Sequence, residues 1–281
     1  MFLLISGYIA VASVTKKISM AAIILYKIMP PILPQAMKLR YAKASLINMS
    51  LAHSDQIIHT YPMLELSFIQ KIVIWALPVI FAITLHEVAH GWVASCFGDQ
   101  TARLSGRLTL NPLKHIDLFG TVLLPILLLM FSNFIFGWAK PVPVDPRNLH
   151  HPRRDMAFVA FAGPCANLLM ALFWGAIAKI GAIIGMHGNA WVGIPLTYMG
   201  EAGIMINVIL AVLNLIPLPP LDGSKVIIPL LPKRSTYYFM LLEPYGFFIL
   251  ILLMITGGLS YLLSPPVFLL INGISRLYGL M

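Results

Sequence analysis

An apolar run from Phe68 to Phe97 contains, towards its end, the motif HEVAH at positions 86–90. A run of this length predicts a membrane-spanning helix, for which about 20 apolar residues are enough. On such a helix, His86 and His90 lie one turn apart on the same face. Ionisable side chains are costly inside a bilayer, so their presence there indicates a functional role. The run therefore predicts a span that carries a functional site near one of its ends.

Two imidazoles at this spacing can hold one Zn²⁺ ion, and Glu87 can act as general base on a water that the metal activates. The same motif also occurs by chance on soluble helices that carry two surface histidines. The apolar flanks on both sides of the motif argue against that alternative. The sequence thus predicts a metal centre with His86 and His90 as ligands and Glu87 as catalytic base.

The composition of the chain indicates a membrane protein with several spans. Of its 281 residues, 59% are hydrophobic and 10% are charged, whereas soluble domains carry about 25% charged residues. The net charge is +9, but the basic residues are scattered through loops beside apolar runs. We interpret them as a topology signal and expect no nucleic-acid partner. Cys96 and Cys165 show neither metal-ligand spacing nor a disulfide pattern.

We expect an all-α polytopic membrane protein with about four to six transmembrane helices. Residues 118–138 contain Pro125 and are expected to form a re-entrant segment, although their length would also permit a full crossing. Polar and apolar residues alternate over 103–110, and proline recurs over 141–145. The first pattern predicts one or two short β-strands associated with the membrane, and the proline-rich segment predicts an edge strand or an extended segment.

Residues 1–62 form no comfortable span, because lysines and prolines interrupt their apolar stretches. They either form an N-terminal hairpin or anchor helix, or they precede a natural start of the protein at Met63. We favour the second alternative, because Met63 leads directly into the first convincing span. The predicted catalytic domain then covers residues 63–281.

A catalytic zinc usually has a third protein ligand and one open position, and Asp222 is the best candidate for that ligand. It follows an apolar span and a run in which Pro217, Pro219 and Pro220 prevent a regular helix. Broken backbone at membrane depth is tolerated only beside other protein or a polar cavity. The alternative is a plain helix stop, because Asp-Gly is a common turn pair.

Taken in order, these motifs resemble those of the site-2 protease family of intramembrane zinc metalloproteases, peptidase family M50. The shared features are HEVAH at 86–90, GPCAN at 163–167 and NLIPLPPLDG at 214–223. The resemblance covers about Phe68 to Pro232. Many bacterial relatives carry a PDZ domain in a loop, but no loop between the spans is long enough here. The chain therefore resembles a compact member of the family without that domain.

The resemblance implies a role for each matching residue. It implies one zinc ion per chain, bound by His86, His90 and Asp222. It also implies that Glu87 is the catalytic base. Asn214 matches an asparagine that helps to bind or polarise the scissile carbonyl. Asn167 matches a position that is structural or faces the substrate.

The predicted ligands must meet at one depth in the membrane. The histidines and Asp222 all come near the exits of their spans, so an even number of crossings must separate those exits. This condition holds if 118–138 is re-entrant. The basic loops then lie on one side, and the connection 181–198, which has no Lys or Arg, lies on the other. By the positive-inside rule, the site opens near the cytoplasmic face, which we expect to be that of a bacterial cell membrane.

The expected function is zinc-dependent endoproteolysis of the transmembrane segments of other membrane proteins. The expected partners are a transmembrane protein substrate and the lipid bilayer, and the sequence does not indicate an oligomeric state. The alternative is a membrane transporter or metal-handling protein that uses the same His/Glu/Asp cluster. A Glu87→Gln variant separates the two, since it should bind zinc without cleaving substrate if the chain is a protease.

Overall fold

The apolar runs of the sequence form long helices in the computed structural model, which describes residues 68–123 and 139–280. Apart from Phe68–Lys71, these residues belong to one compact unit. The predictions about residues 1–62 and a start at Met63 lie outside the described residues. Most of the predicted re-entrant segment 118–138 also lies outside them, and the structure describes only its first turn, the π-helical Leu118–Leu123.

Eight α-helices follow one another in the described part of the chain, and we number them in order. They are α1 (Phe68–Cys96), α2 (Thr101–Leu104), α3 (Pro152–Met186), α4 (Ala190–Asn214), α5 (Asp222–Ile227), α6 (Lys233–Met240), α7 (Glu243–Ile255) and α8 (Gly258–Tyr278). Among the described residues, α1, α3, α4 and α8 are long and apolar enough to cross a membrane. Helices α6 and α7 together form a fifth candidate, bent by 60°. The chain is a helical multi-pass membrane protein, as its composition predicts.

The β-strand predicted at 103–110 is wrong, because the described residues contain no strand. Thr101 instead begins α2, and the buried carboxylate of Asp99 accepts its backbone N–H at 3.0 Å. After α2 the chain turns at Gly106, whose φ of +63° lies in the left-handed region that glycine adopts freely. The capped helix and the turn override the alternation of polar and apolar residues that predicted a strand.

At 141–145 the alternative of an edge strand is also wrong. This segment is extended, but Pro141 and Pro143 have no N–H and cannot donate to a neighbouring strand. The side chain of Arg107 binds the carbonyls of Lys140 and Pro141 at 2.9 and 3.2 Å. These groups are therefore not available to a neighbouring strand, and the segment ends in the 3-10 turn Pro146–Asn148.

Helices α3 and α4 form an antiparallel pair in which small residues let the two backbones approach closely. Gly200 lies against Ala178, and a Cβ on Gly203 would lie 2.1 Å from Cγ of Trp174. A buried apolar cluster joins this pair to α8, and its members include Ala171, Trp174, Val208, Leu259 and Leu263. The pair is the framework on which the candidate site is built.

Helix α1 packs against α4, where Val79 and Ala82 form a second buried cluster with Ile206 and Leu210. Ala82 lies about one turn before His86, the first histidine of the HEVAH motif at positions 86–90. The packing therefore sets the distance between the motif and the inner face of α4.

The chain that connects α1 to α3 returns to the end of α1 before α3 begins. The backbone N–H of His150 donates to the carbonyl of Phe97 at 3.0 Å, so the end of α1 and the start of α3 lie together. Because α3 and α4 are antiparallel, α4 ends on the side where α1 ends. The HEVAH motif near the end of α1 and Asp222 just beyond the end of α4 can therefore meet.

Candidate metal centre

The structure brings His86, His90 and Asp222 together from two distant parts of the chain. Their potential ligand atoms all lie within 4.8 Å of one another, and no other such group of His, Cys, Asp or Glu occurs among the described residues. Nε2 of His86 and Nε2 of His90 are 3.0 Å apart. Oδ2 of Asp222 lies 3.2 Å from the first of these nitrogens and 3.3 Å from the second.

The partners of the two Nδ1 atoms determine where the imidazoles carry their protons. Nδ1 of His86 lies 2.6 Å from Oδ1 of Asn167. The amide group of Asn167 donates to the carbonyl of Ala82 and to Oδ1 of Asn207, which identifies its other atom as the oxygen. Nδ1 of His90 lies 2.7 Å from the carbonyl of Val159, which can only accept. Each neutral imidazole is therefore protonated on Nδ1 and has a lone pair on Nε2.

The three atoms that face one another at this site are consequently all acceptors. Two imidazole lone pairs and a carboxylate oxygen repel one another unless a cation lies between them. In a tetrahedral zinc site with bonds of about 2.0–2.1 Å, ligand atoms are about 3.3–3.4 Å apart. The observed separations of 3.0, 3.2 and 3.3 Å are close to this value. The residues present therefore fit a zinc ion with three protein ligands.

Gly163 of α3 makes room for both imidazoles. A Cβ at this position would lie 2.5 Å from ring atoms of His86 and His90, closer than any real contact. The glycine of the GPCAN motif, which occupies 163–167, is thus explained by the two rings that pack on its Cα. Four residues further along the same helix face, Asn167 holds the Nδ1 side of His86.

The broken backbone after α4 directs Asp222 to the histidines. The chain turns after Asn214, and a Cβ on Gly223 would lie 2.3 Å from the carbonyl oxygen of Leu215 and 2.4 Å from that of Ile216. Only glycine permits this approach of α5 to the end of α4, and it places Asp222 at the first position of α5. The prolines of 217–220 that predicted an irregular turn are part of this turn.

Glu87 is held by the extended segment 140–145 rather than by the metal-facing residues. Its Oε2 accepts the backbone N–H of Val142 at 2.8 Å. Val142 can approach because Gly91 has no side chain, and a Cβ there would lie 2.9 Å from Cγ1 of Val142. One oxygen of the Glu87 carboxylate is thus fixed by a backbone donor.

Asp99 anchors the other end of that segment. Its buried carboxylate accepts the backbone N–H of Asp145 at 2.8 Å, together with donors from Thr101 and Asn148. Burial alone raises the pKa of Asp99, but these hydrogen bonds outweigh it and hold the pKa below its usual range. The neighbouring Asp145 is bonded to Arg147, which lowers its pKa to about 2. Both carboxylates are therefore ionised at neutral pH.

The amide group of Asn214, at the end of α4, donates to the carbonyl of Leu210 one turn earlier, at 3.0 Å. This bond uses one of its two N–H groups. The role that the resemblance implies for Asn214 stays a prediction.

Sequence reasoning missed Asn207, which the structure places behind Asn167. It is a fully buried polar residue in an otherwise apolar part of α4. The signal was its spacing, because a residue seven positions before Asn214 lies on the same helix face.

Comparison with known proteins agrees with this geometry. The family description "Peptidase family M50" matches residues 175–253. The chain is 39% identical over 187 residues to YwhC of Bacillus subtilis (strain 168), covering 66% of this chain and 82% of that protein. It is 30% identical over 189 residues to Rip2 of Mycolicibacterium smegmatis, covering 64% and 66%. Both relatives are named provisionally as zinc metalloproteases. No solved structure matches the chain significantly.

The fold and the site together define a metallopeptidase embedded in a membrane. The chain belongs to peptidase family M50, the site-2 protease family that its motifs resemble. The resemblance and the enzyme class are thereby confirmed, and the names of the relatives support zinc as the metal.

Proposed function

We propose that this enzyme is an intramembrane endopeptidase that uses zinc and Glu87 to cleave transmembrane segments of other membrane proteins. The observation that carries the proposal is the convergence of three acceptors, His86, His90 and Asp222, beside the ends of two apolar helices. A water-dependent reaction on a membrane-embedded peptide needs its polar groups at such a place, within a protein core yet near an aqueous face.

In this proposal His86, His90 and Asp222 hold the metal. A zinc ion bound there supplies Lewis-acid polarisation of the scissile carbonyl and increases the acidity of water in the site. Groups of the protein orient the ligands. Asn167 and the carbonyl of Val159 keep both imidazoles in the tautomer that presents Nε2 to the centre.

Glu87 acts as the general base. It follows His86 directly in α1, and the Val142 N–H occupies one lone pair of its Oε2. Its Oε1 then takes the proton from the attacking water and delivers it to the leaving amine. A carboxylate fixed by a backbone donor stays oriented for both transfers, which is the contribution of the 140–145 segment.

Asn214 acts on the scissile carbonyl in this proposal. Its second N–H donates to the oxygen on which negative charge develops. Loss of one such donor typically raises the barrier by about 3 kcal/mol.

The active site faces the cytoplasm in this proposal. Helices α1 and α4 end on the same side, and the chain from the end of α1 through the first turn of α3 carries the basic residues Arg103, Arg107, Lys140, Arg147, Arg153 and Arg154. The short connection between α3 and α4, at 187–189, has no Lys or Arg. Positive loops stay in the cytoplasm, which supports this orientation.

The test compares the wild-type enzyme with Glu87→Gln in liposomes that contain a model single-span substrate. We expect both proteins to bind about one zinc ion per chain, and the variant to cleave about 10²–10⁴-fold more slowly. Equal cleavage by both proteins would remove Glu87 from the mechanism. Metal flux without any cleavage would instead support the transporter alternative.

A further inference from the structure

Three polar side chains from three helices form a hydrogen-bonded chain behind the metal centre. His86 of α1 contacts Asn167 of α3 at 2.6 Å, and Asn167 contacts Asn207 of α4 at 3.0 Å. Both asparagines are completely buried, and His86 is nearly so. Only the first two of these residues belong to motifs of the sequence, so the presence of Asn207 calls for an explanation.

Each group in this chain donates to the next, from Nδ1–H of His86 through Asn167 and Asn207 to the carbonyl of Gly203. The amide group of Asn207 donates to the carbonyl of Gly203 in its own helix at 2.9 Å, so its oxygen faces Asn167. The amide group of Asn167 donates to that oxygen and to the carbonyl of Ala82 at 3.1 Å. Both N–H groups of Asn167 are then used, and its oxygen can only face His86.

We propose that Asn207 is a positioning residue for the metal centre and acts through Asn167 on His86. This inference rests on the proposed zinc site. The oxygen of Asn207 sets the orientation of the Asn167 amide, and that orientation keeps the proton of His86 on Nδ1. The lone pair on Nε2 then points to the metal, so Asn207 raises the metal affinity of a ligand that it does not touch.

The alternative orientation of Asn167 shows why Asn207 is required. If the Asn167 amide were rotated, its NH₂ group would face the protonated Nδ1 of His86, donor against donor. Without the oxygen of Asn207, the orientation seen here leaves a buried N–H of Asn167 without an acceptor, which is costly in an apolar interior. Either outcome disturbs His86 and weakens its bond to the metal.

Asn207 also links the two halves of the site. Helix α4 carries Asn207 in its buried part and leads through the turn after Asn214 to Asp222. The same helix therefore places one ligand directly and orients a second one through Asn167. The site is sensitive to the register of α4 against α3 at both positions.

The experiment measures zinc affinity in purified full-length protein by competition with a chelator, so that its readout does not depend on proteolysis. We expect Asn207→Leu to bind zinc about tenfold more weakly than wild type, at the lower end of the effect of ligand-supporting residues. Asn207→Gln keeps a neutral amide oxygen for Asn167 and should remain within about threefold of wild type. Asn207→Ala also removes the oxygen, and alanine suits a helix and needs little space. It replaces Asn207→Leu if the leucine variant does not fold.

The matched control is Thr197→Val on the same helix. Among the described residues, the Thr197 hydroxyl bonds only to the carbonyl of Gly193 in its own helix. Thr197 lies about 15 Å from Asn207 along the helix axis. We expect this variant to bind zinc like wild type. A loss of affinity in Thr197→Val equal to that in Asn207→Leu would show a general effect of altering α4 and would overturn the inference.

A double-mutant cycle with Asn167→Ala tests the route. Once Asn167 has lost its amide, Asn207→Leu should reduce zinc affinity by less than about twofold further. Fully additive losses, or an unchanged affinity in Asn207→Leu and Asn207→Ala, would overturn the inference while the zinc site stands. Failure of the wild-type protein to bind zinc would overturn the proposed function and this inference with it.

Discussion

The helical core around His86 and His90 and the loop region, which comprises Asp99 and the 140–145 segment, have different roles in the proposed chemistry. The core orients the metal ligands, and the loop region positions the general base Glu87. Inside the helical core, neutral groups orient the imidazoles of His86 and His90, namely the side chain of Asn167 and the carbonyl of Val159. At the end of α1, ionised groups fix the segment that holds Glu87, and buried Asp99 is the main anchor. The groups that orient the two imidazoles are therefore neutral, whereas those that hold the 140–145 segment are charged.

The difference follows from the surroundings of each region. An extra carboxylate in the membrane interior would be costly and would compete with Asp222 for the metal, whereas an amide is neutral and both donates and accepts. Near the aqueous face, a carboxylate such as Asp99 can gather several backbone donors at moderate cost. Metal affinity and base positioning should therefore respond to different variants.

The largest expected effect comes from Gly163→Ala. Its Cβ would lie 2.5 Å from ring atoms of both His86 and His90, so at least one imidazole must leave its position. We expect zinc affinity to fall by at least about 100-fold and proteolysis to be lost. Gly185→Ala in the same helix is the control, because its Cβ would meet nothing closer than 3.9 Å. Chelator competition with both variants measures the effect, and wild-type affinity in Gly163→Ala would contradict the described site.

Asp99→Asn should damage the loop region and spare the metal centre. The variant removes the charge that accepts donors from Thr101, Asn148 and Asp145, and turns one acceptor atom into a donor. We expect the local structure to lose about 2–4 kcal/mol, which makes the Asp145 amide exchange its hydrogen at least about 30-fold faster. Hydrogen exchange and zinc affinity are measured on the same protein.

The control for Asp99→Asn is Thr101→Val, which deletes one donor and leaves the Asp99 carboxylate. It should produce a clearly smaller increase in exchange. A loss of zinc affinity in Asp99→Asn as large as its effect on exchange would show that the two regions are one unit. The comparison between them would then be wrong.

The sequence predicts the metal-facing residues better than the residues that support them. His86 and His90 follow from helical spacing, and Asp222 from a resemblance together with a proline-broken turn, and the structure brings all three together. Asn207 was missed because its signal in the sequence, a spacing of seven residues from Asn214, does not identify the residue that it contacts. Its partner, Asn167, comes from another helix, and only the α3–α4 packing reveals the pair.

The strands predicted at 103–110 and 141–145 failed for a different physical reason. Alternation reports only where side chains point, and it does not report whether backbone N–H groups are free. At 141–145 two prolines lack that group, and two of the three remaining amides, those of Val142 and Asp145, bind Glu87 and Asp99. The segment is extended because it serves these two carboxylates, and the sequence alone does not show such distant acceptors.

Val142→Pro tests the hydrogen bond between the 140–145 segment and Glu87, and its expected effect is smaller than those above. It removes the N–H that holds Glu87, and the new ring suits the extended backbone that precedes Pro143. A hydrogen bond to a charged acceptor contributes about 1.5–3 kcal/mol, so we expect kcat to fall by about tenfold or more. Zinc affinity should stay unchanged. Val142→Ala, which keeps the N–H, should retain most of the activity.

Equal losses of kcat in Val142→Pro and Val142→Ala would assign the effect to packing against Gly91 rather than to the hydrogen bond. A fall in zinc affinity in the proline variant would instead place the 140–145 segment in the metal centre. Either result would change the division of labour described above.

The smallest expected effect is the response of the loop region to acid. The pKa of Asp145 is lowered to about 2 by its bonds to Arg147, below an unfolded value of about 3.9. Its carboxylate therefore stabilises the loop above pH 4, and this contribution is lost as the pH falls from about 4 towards 2. Asp99, whose pKa is also lowered, acts in the same direction.

This response can be measured as the rate at which pepsin, a protease that is active in acid, cleaves the chain within 139–151. At pH 4–5 we expect Asp145→Asn to be cleaved about two- to threefold faster than wild type, because the exposed ion pair with Arg147 contributes little. At pH 2 the difference should become smaller, because about half of the wild-type carboxylate is then protonated. A constant difference across this range would mean that the charge of Asp145 does not stabilise the loop. The charged region would then depend on Asp99 alone.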